Sequence, residues 1–311
     1  MSINMNPDCI LCHMQRNVDT ARKLGTPEQL DAFTKGLLNL YLCTPKDVSA
    51  VWTGPGTDKL FQEIYGIQED RFAEEKQFSN RFVLSRLDEI SARVEAAEDP
   101  VYAGLQFAVL GNYIDFSALY GQVSFEKLDQ LLSKAETMDL DREAYKKLCC
   151  DLEKGKRLLY LTDNAGEIGF DRICAERIAK RYPHLQITFC VRGGNTLNDA
   201  TRADAQEVEI PFPVIDSGVS IPGTLLSALG EEAKQALETA DVIIAKGQGN
   251  AETLLDSGYN IYFAFLVKCI RFEERLQTET GTHAGARKRL KKSWQIQKSA
   301  SFTFGQNTGM I

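Results

Sequence analysis

The pattern of hydrophobic and polar positions changes near Gly155. Before this residue, apolar positions recur with helical spacing, and no stretch of any length alternates with the period of a β-strand. After it, short apolar runs of strand length alternate with helical segments. Such alternation is typical of a mostly parallel sheet covered by helices on both faces. The pattern therefore predicts an all-helical domain over residues 1–155 and a Rossmann-like, three-layer α/β/α domain over 156–277.

Helix signals dominate the first half. Thr26-Pro27-Glu28-Gln29 has the form of a capping box with proline at the first helical position. A long charged helix is predicted from Arg71 to Ala97, and another begins at Asp99-Pro100. Helices over 124–135 and 141–154 complete the predicted helical domain.

The second half contains four apolar runs of strand character. The segment 260–266 is either a fifth strand or the start of a buried helix, because periodicity alone does not separate the two. The strands are predicted at 158–162, 185–191, 214–216 and 241–245, with helices at 167–182, near 199–206 and near 250–257.

The chain ends in a polar segment, 278–311, that contains the basic cluster Arg287-Lys288-Arg289-Leu290-Lys291-Lys292. Such a cluster is more typical of a solvated helix face or a disordered tail than of a nucleic-acid site. We therefore expect this segment to lie outside the folded domains.

Each of the four apolar runs ends in polar residues or glycine. Asp163-Asn164 follows the first run and Arg192-Gly193-Gly194-Asn195 follows the second. Asp216 closes the short third run, and Lys246-Gly247-Gln248-Gly249-Asn250 follows the fourth. Because the carboxyl ends of parallel strands share one edge of a sheet, we expect all four groups to meet there.

The Asp163-Asn164 pair offers adjacent oxygen ligands of the kind that Mg²⁺ or Mn²⁺ prefers. A turn that caps the following helix is the alternative interpretation of the same two residues. Turn chemistry explains one such strand end well and four in succession poorly, which favours a binding site at this edge.

Composition narrows the possible functions. The chain has 311 residues and a net charge of −7, which is most consistent with two domains and argues against nucleic acid as the main partner. No apolar run of about 18 residues and no secretory signal is evident, so we expect a cytoplasmic protein without membrane association.

The eight cysteines give no complete metal site. Cys9-Ile10-Leu11-Cys12 has the spacing of half a zinc site, but a second pair at metal spacing is missing. We favour structural or unreactive thiols over a metal or redox role, and a cytoplasmic location argues against disulfides. His13, His184 and His283 belong to none of the candidate motifs.

Six short blocks occur in order along the chain. They are Cys9-Ile10-Leu11-Cys12, Gly111-Asn112-Tyr113-Ile114-Asp115-Phe116, Asp163-Asn164-Ala165-Gly166-Glu167, Arg192-Gly193-Gly194-Asn195 with Asn198-Asp199-Ala200-Thr201, Asp216-Ser217-Gly218, and Lys246-Gly247-Gln248-Gly249-Asn250 with Glu252. Together these blocks resemble the metal-dependent damage-control phosphatases, long catalogued as domain of unknown function 89. The resemblance runs from about Cys9 to about Cys269, and its N-terminal block is similar to the smaller microbial subgroup with a CxxC motif. The sequence after Cys269 departs from the family, whose chains typically add one more apolar strand.

The resemblance implies a metal-dependent phosphatase that hydrolyses small phosphorylated metabolites, such as sugar, nucleotide or cofactor phosphates. It places the metal ligands at Asp163, Asn164 and Asp199, with Mg²⁺ or Mn²⁺ as the expected cation and Co²⁺ or Ni²⁺ as alternatives. It makes Lys246 the group that holds the phosphate, and Asp163 and Glu167 further catalytic residues. The nucleophile is either a metal-bound water or an aspartate.

The resemblance also implies the substrate-binding residues. It places Asp216 and Asn250 at the substrate, and Asn112 would reach in from the helical domain to make the site a cleft. Glycines at 247 and 249, on either side of Gln248, would let backbone amides approach the phosphate. The competing structural roles are an Asx turn at Asp216 and a helix C-cap at Asn112.

Other functions remain open at this level. A nicotinamide-binding protein would need G-x-G-x-x-G after its first strand, and a haloacid-dehalogenase phosphatase would show D-x-D there; neither is present. The alternatives are a carboxyl methyltransferase that uses S-adenosylmethionine and a non-catalytic protein that binds metal or phosphometabolites. The sequence selects no particular phosphate ester and no oligomeric state.

Overall fold

The computed structural model describes residues 4–67, 70–111, 132–267, 272 and 293–298. Helices fill the first half, and the second half alternates strands with helices, which confirms the predicted α and α/β architecture. The described helices are α1 (Pro7–Ala21), α2 (Pro27–Cys43), α3 (Gly54–Tyr65), α4 (Ala73–Leu84), α5 (Leu87–Glu95), α6 (Pro100–Gly111), α7 (Arg142–Lys154), α8 (Glu167–Arg181), α9 (Arg202–Glu207), α10 (Glu231–Thr239) and α11 (Gly247–Leu254).

Capping residues determine where several helices begin. Thr26 and Gln29 form the predicted capping box: the Thr26 side chain accepts from the Gln29 amide and the Gln29 side chain accepts from the Thr26 amide. The Asp99 carboxylate accepts from the first amides of α6, at 3.1 and 3.2 Å. These side chains satisfy amides that have no partner within the helix.

The expectation of one long helix from Arg71 to Ala97 was wrong. The structure has two helices, α4 and α5, separated by a turn at Ser85 and Arg86. The turn redirects α5 so that Ile90 and Val94 are buried. Because the turn contains neither glycine nor proline, the sequence carried no marker for it.

The sheet has six described strands: β1 (Arg157–Leu161), β2 (Gln186–Val191), β3 (Val214–Asp216), β4 (Val242–Lys246), β5 (Ile261–Val267) and β6 (Ser293–Lys298). Their order is β3-β2-β1-β4-β5-β6. The first five strands in this order pair in parallel, and β6 pairs antiparallel with β5. The segment 260–266 is therefore a strand, not a helix.

β6 corrects the expectation for the chain end. A polar tail outside the folded domains is predicted for 278–311, but 293–298 adds a strand to the sheet. Its sequence, Ser-Trp-Gln-Ile-Gln-Lys, alternates polar and apolar residues as a strand does. Because the alternation is short and directly follows the basic cluster, this segment was not predicted as a strand. The other residues of 278–311 lie outside the described ranges.

The two faces of the sheet contribute to different cores. Leu158 and Tyr160 of β1 pack in a cluster with α6, α7 and α8, whereas Leu159 and Leu161 face a cluster with α10 and α11. Successive side chains of a strand point to opposite faces, which produces this division. A smaller cluster joins α1, α2 and α3 around Phe33. The sheet thus shares its core with helices that precede residue 155, and a domain boundary there stays a prediction.

None of the helices in the described ranges is long and apolar enough to cross a membrane.

Candidate functional site

The candidate site lies where the strand order reverses direction. β1 pairs with β2 on one side and with β4 on the other, so the chain connections diverge from β1. In open α/β sheets, ligands bind in the crevice at the carboxyl ends of the strands that flank such a point. Asp163 and Asn164 follow β1, and Lys246 ends β4.

Backbone hydrogen bonds bring the three predicted metal ligands together. Asn164 and Asp199 form an isolated antiparallel bridge. The Ala200 amide also donates to the Asp163 carbonyl at 2.7 Å. The loop after β2 is thus fastened along the loop after β1, which places Asp199 beside the Asp163-Asn164 pair.

The Asn164 side chain is oriented by two carboxylates. Its Nδ2 donates to Asp163 Oδ2 and to Glu167 Oε2, both at 2.9 Å. With the nitrogen directed at these acceptors, the amide oxygen, which accepts no hydrogen bond from the residues that the structure describes, could act as a ligand. Two carboxylates and an amide oxygen are hard oxygen donors, so these residues fit a cation such as Mg²⁺ or Mn²⁺.

This set depends on the amide. Within the described part of the chain, no group of three or more His, Cys, Asp or Glu side chains could hold a metal ion. A cation at this edge would therefore use Asn164 together with Asp163 and Asp199, and would complete its shell with water or substrate oxygens.

Gly247 allows the Asp163 carboxylate to lie against the start of α11. Gly247 has φ of 76°, and a Cβ at this position would lie 2.0 Å from the Asp163 carboxylate carbon. A side chain here would collide with the carboxylate, and the backbone conformation itself favours glycine. The glycine predicted to face the phosphate therefore has a packing role against the metal-binding loop.

Lys246 has a different environment from the one expected. Its side chain is fully buried and donates to the Ala108 carbonyl at 2.9 Å, to Asp171 Oδ1 at 2.7 Å and to Glu167. An ammonium group has three protons, and these three acceptors use them. These contacts within the protein use the protons of Lys246, and its direct contact with the phosphate stays a prediction.

The charges around Lys246 are strongly coupled. Burial lowers the pKa of Lys246, but the carboxylates of Asp171 and Glu167 outweigh this effect and raise it above its ordinary value. Burial also raises the pKa of Asp171 to about 7, with Lys246 opposing the rise and Glu167 adding to it. Lys246 is thus a permanent cation that holds two buried acids in place.

Glu167 connects this buried cluster to the candidate metal site. It is completely buried, and its two oxygens accept from Lys246 and from Asn164. Glu167 therefore orients Asn164 and is itself oriented by Lys246. These contacts describe a positioning residue more directly than a proton donor or acceptor in the crevice.

Asp171 was not among the predicted site residues. It accepts from Lys246 and from the Tyr160 hydroxyl, the latter at 2.9 Å. A sequence signal for it existed, because Asp171 lies four residues after Glu167 and thus on the same face of α8.

Arg192 was also missed, although it begins one of the quoted blocks. Its guanidinium is buried and donates from Nε to Asp199 Oδ2 at 2.6 Å and from one terminal nitrogen to Asn250 Oδ1 at 3.2 Å. Burial raises the pKa of Asp199, and the adjacent Arg192 opposes the rise. The sequence places Arg192 at a strand end but carries no sign of its contact with Asp199.

Asn250 bridges the ends of several elements. Its Nδ2 donates to the carbonyls of Thr162 and Lys246, at 3.0 and 2.7 Å. Its Oδ1 accepts from Arg192 and from the Thr224 hydroxyl, at 3.2 and 2.8 Å. These bonds use the hydrogen-bonding capacity of the buried amide, so the structure places Asn250 next to the crevice as a clamp between loops.

Three other predicted substrate-binding residues, Asp216, Gln248 and Gly249, have contacts with neighbouring parts of the protein. Asp216 accepts from Arg202 and from the Gly218 amide, which is the Asx turn named as its alternative role. The hydrogen bond from Arg202 is the main reason that the pKa of Asp216 is lowered. Gln248 donates to Glu252 on α11, and a Cβ at Gly249 would lie 2.5 Å from the Pro222 carbonyl oxygen.

Asn112 lies outside the described residues. Its neighbour Gly111 is the last residue of α6, and a Cβ there would lie 2.9 Å from Glu167 Cγ. The end of α6 therefore reaches the candidate site, while the role of Asn112 stays a prediction.

A cavity of about 450 Å³ adjoins the loop that carries Asp199. The Asp199 amide donates to the carbonyl of Thr196, one of the lining residues, at 3.1 Å. Helix α3 and the segment before α4 form the opposite wall. The lining combines aromatic rings, amides and charges of both signs: Pro55, Asp58, Lys59, Phe61, Gln62, Ile67, Asp70, Arg71, Phe72, Asn195, Thr196, Leu197 and Ser220.

Cys9 and Cys12 lie in the first half of α1. The adjacent His13 is within 3.4 Å of the Thr53 hydroxyl, and burial lowers its pKa to about 4. In the described ranges these three residues belong to no metal-binding group of His, Cys, Asp or Glu. Their function stays open, and His283 lies outside the described residues.

Comparison with known proteins agrees with this architecture. A family model described as the damage-control phosphatase ARMT1-like domain matches residues 5–283. An uncharacterized protein of Methanocaldococcus jannaschii is 33% identical over 297 residues, covering 90% of this chain and 94% of the relative. A damage-control phosphatase of Archaeoglobus fulgidus is 33% identical over 230 residues, covering 72% of this chain and 76% of the relative.

The similarity extends to a solved structure and a second named relative. A damage-control phosphatase of Pyrococcus horikoshii is 29% identical over 238 residues, covering 75% of this chain and 80% of the relative. The crystal structure of a DUF89 family protein from Pyrococcus horikoshii superposes with a TM-score of 0.80 and 25% identity. That match covers 96% of this chain and 99% of the other.

Proposed function

Because this chain belongs to the damage-control phosphatase ARMT1-like family, we propose that it hydrolyses phosphate monoesters of small metabolites with the help of a divalent cation. Two relatives that are named damage-control phosphatases support a phosphatase-type function. The cation and the substrate class are the proposed parts of this statement.

The arrangement of Asn164 carries the proposal. Its amide nitrogen is held by Asp163 and Glu167, which leaves its oxygen available as a ligand, and a backbone bridge holds Asp199 beside this pair. A bound divalent cation would place positive charge beside the phosphoryl oxygens. It would also help an oxygen nucleophile to attack the phosphorus atom.

The protein itself contributes fixed positions. Lys246 anchors Glu167, Glu167 orients Asn164, and Asn250 ties the loops after β1 and β4 together. Since Lys246, Glu167 and Asn250 are buried, they do not need to reorganise when charge develops in the crevice. Such preorganisation suits phosphoryl transfer, in which positioning and electrostatics supply most of the catalysis.

The cavity beside Asp199 is the proposed place for the rest of the substrate. Arg71 lies over the Phe61 ring at 3.7 Å and pairs with Asp58 at 2.7 Å, so the wall formed by α3 is polar and firmly held. A cavity of about 450 Å³ is in the range of small-molecule sites. Its mixed lining suits a small leaving group that has both polar and apolar parts.

The experiment is a phosphatase screen over a panel of phosphorylated metabolites, with Mg²⁺, Mn²⁺, Co²⁺ and Ni²⁺ supplied in turn. We expect turnover that requires a cation and is lost in Asp199→Asn. Glu238→Gln, which removes an exposed carboxylate from α10, is the matched control. Turnover that persists in Asp199→Asn would contradict the metal site, and methyl transfer from S-adenosylmethionine without added metal would contradict the phosphatase.

A further inference from the structure

Arg192 has one donor group that its protein contacts leave unused. Its side chain is 2% exposed, and two of its nitrogens bind Asp199 and Asn250. The other terminal nitrogen, Nη2, has no hydrogen-bond partner among the residues that the structure describes. Buried donors without a partner are rare in folded proteins, and such a donor often marks the place where a ligand or an ion binds.

The unused donor is buried and lies close to Asp163, one of the predicted metal ligands. Nη2 lies 3.7 Å from Asp163 Oδ1, which is too long for a hydrogen bond but places the nitrogen beside the candidate metal-binding loop. Asp163 keeps 13% of its side chain exposed, whereas Nη2 itself is buried. A phosphoryl oxygen bound against Asp163 would therefore lie near this donor.

The guanidinium is also held in a fixed orientation. Asp199 binds Nε from the loop after β2, and Asn250 binds Nη1 from α11 on the other side. A planar guanidinium fixed at two nitrogens presents the third along a defined direction. Lys246, in contrast, donates its three protons to protein acceptors.

We propose that Arg192, and not Lys246, is the side chain that binds a phosphoryl oxygen of the substrate. The inference rests on the proposed phosphatase function and assigns its phosphate contact to Nη2. A guanidinium suits this task because it is always charged and forms directional bonds to phosphate oxygens. The Nη2 donor then gains the acceptor that it lacks among the described residues.

The test measures binding of inorganic phosphate to protein without added metal, by isothermal titration calorimetry, for the wild type and three variants. We expect Arg192→Ala to weaken phosphate binding about ten- to hundredfold, the usual loss for a hydrogen bond to a charged group. Arg192→Lys keeps the positive charge but loses the planar guanidinium group, so its phosphate affinity should lie between those of the wild type and Arg192→Ala. Arg172→Ala is the control, since Arg172 pairs with Glu176 on α8 and should leave phosphate binding unchanged.

Rescue separates a direct contact from a structural role. Added guanidinium ion should restore part of the phosphate affinity to Arg192→Ala and leave Arg172→Ala unchanged. If Arg192→Ala lost thermal stability but bound phosphate as the wild type does, Arg192 would only support Asp199 and the inference would be overturned. Where Arg192→Ala does not fold, undiminished phosphate binding by Arg192→Lys with a changed melting temperature would overturn it equally.

The outcome is independent of turnover. Wild-type protein that hydrolyses no phosphomonoester yet binds phosphate through Arg192 would refute the proposed reaction and uphold this contact. Wild-type protein that shows turnover while Arg192→Ala retains its KM and its phosphate affinity would uphold the reaction and refute the contact.

Discussion

Lys246 and Asp171 form a fully buried ion pair, with Lys246 Nζ 2.7 Å from Asp171 Oδ1. The pair joins the end of β4 to α8, and a bond to the Ala108 carbonyl extends it to α6. Glu167 accepts from the same ammonium group and also accepts from the Asn164 side chain. Lys246 therefore helps to fix the position of Asn164 through Glu167. The geometry of the candidate metal site thus depends on a charge that the substrate does not need to touch.

Replacement of Lys246 tests this dependence. We expect Lys246→Met to lower the free energy of unfolding by about 3–5 kcal/mol, because two buried acids lose their cation. Urea unfolding would measure the change. The double variant Lys246→Met with Asp171→Asn should recover part of the loss; an equal loss in both would show that the acids are not responsible.

The raised pKa of Asp171 predicts a pH dependence of stability. Its pKa is about 7 in the folded protein, against an ordinary value of 3.8. Between these values the folded state binds the proton more tightly than the unfolded state does, so this contribution to stability falls as pH rises from about 4 to 7. Asp171→Asn has no carboxyl group that titrates at this position. Its free energy of unfolding should therefore depend less on pH between about 4 and 7. Identical slopes for wild type and variant in chemical denaturation would contradict the assignment.

Gly247 offers a sharp test of packing at the metal-binding loop. Gly247 and Gly258 have similar positive φ angles, 76° and 81°. A Cβ at 247 would lie 2.0 Å from the Asp163 carboxylate carbon, whereas no described atom lies within 4 Å of one at 258. Gly258→Ala should cost only about 1–2 kcal/mol from its left-handed backbone.

We expect Gly247→Ala to cost more than Gly258→Ala and also to displace Asp163, so that activity falls in addition to stability. Thermal unfolding and steady-state kinetics on both variants would measure the two effects. Equal stability losses with unchanged kinetics would mean that Asp163 moves freely and has no required position.

The direction of a strand predicts the sheet edge at which a residue lies, and the alternation of side chains decides the face. Only the first of these could be predicted for the site residues. Parallel strands end at one edge, so the sequence placed Asp163, Asn164 and Asp199 together without the structure. It identified Lys246 as the end of its strand but not the side of the sheet on which its side chain lies. Lys246 lies two residues after Ile244, which faces the core formed with α6 and α8, and therefore points the same way.

The sequence pattern could not predict hydrogen-bond partners that lie far apart along the chain. The Lys246 ammonium meets Ala108, 138 positions earlier, and Asn80 of α4 accepts from the Gly166 amide, 86 positions away. Periodicity gives the face of each element but not the element opposite to it. The contact between Arg192 and Asn250 of α11 was missed for the same reason, since the two residues are 58 positions apart.

Metal binding should be visible without turnover. A cation that binds only the folded protein raises the melting temperature with its concentration. We expect Mn²⁺ to stabilise the wild type and to leave Asp199→Ala nearly unaffected, because that variant loses one of two carboxylates. Glu238→Ala on α10 should respond as the wild type does. Equal stabilisation of all three proteins would place the cation elsewhere.

Leu197 combines an unusual backbone with a place in the cavity wall. Its φ is 47°, a left-handed value that costs a non-glycine residue about 1–2 kcal/mol, and its side chain lines the cavity beside Asp199. Backbone strain of this kind often persists where a binding site requires it. Glu209 has a similar φ of 52° but is exposed after α9, so it provides a matched control.

Glycine at either position should relieve the backbone. We expect Glu209→Gly to keep the wild-type KM, whereas Leu197→Gly should raise KM severalfold because the cavity loses an apolar wall. The kcat of Leu197→Gly should change little, since the residue lines the cavity and is not one of the proposed metal ligands. Kinetics with one accepted phosphomonoester, together with thermal unfolding of both variants, would measure these effects. An unchanged KM in Leu197→Gly would remove this cavity as the binding place of the leaving group, and would leave the chemistry at the strand ends intact.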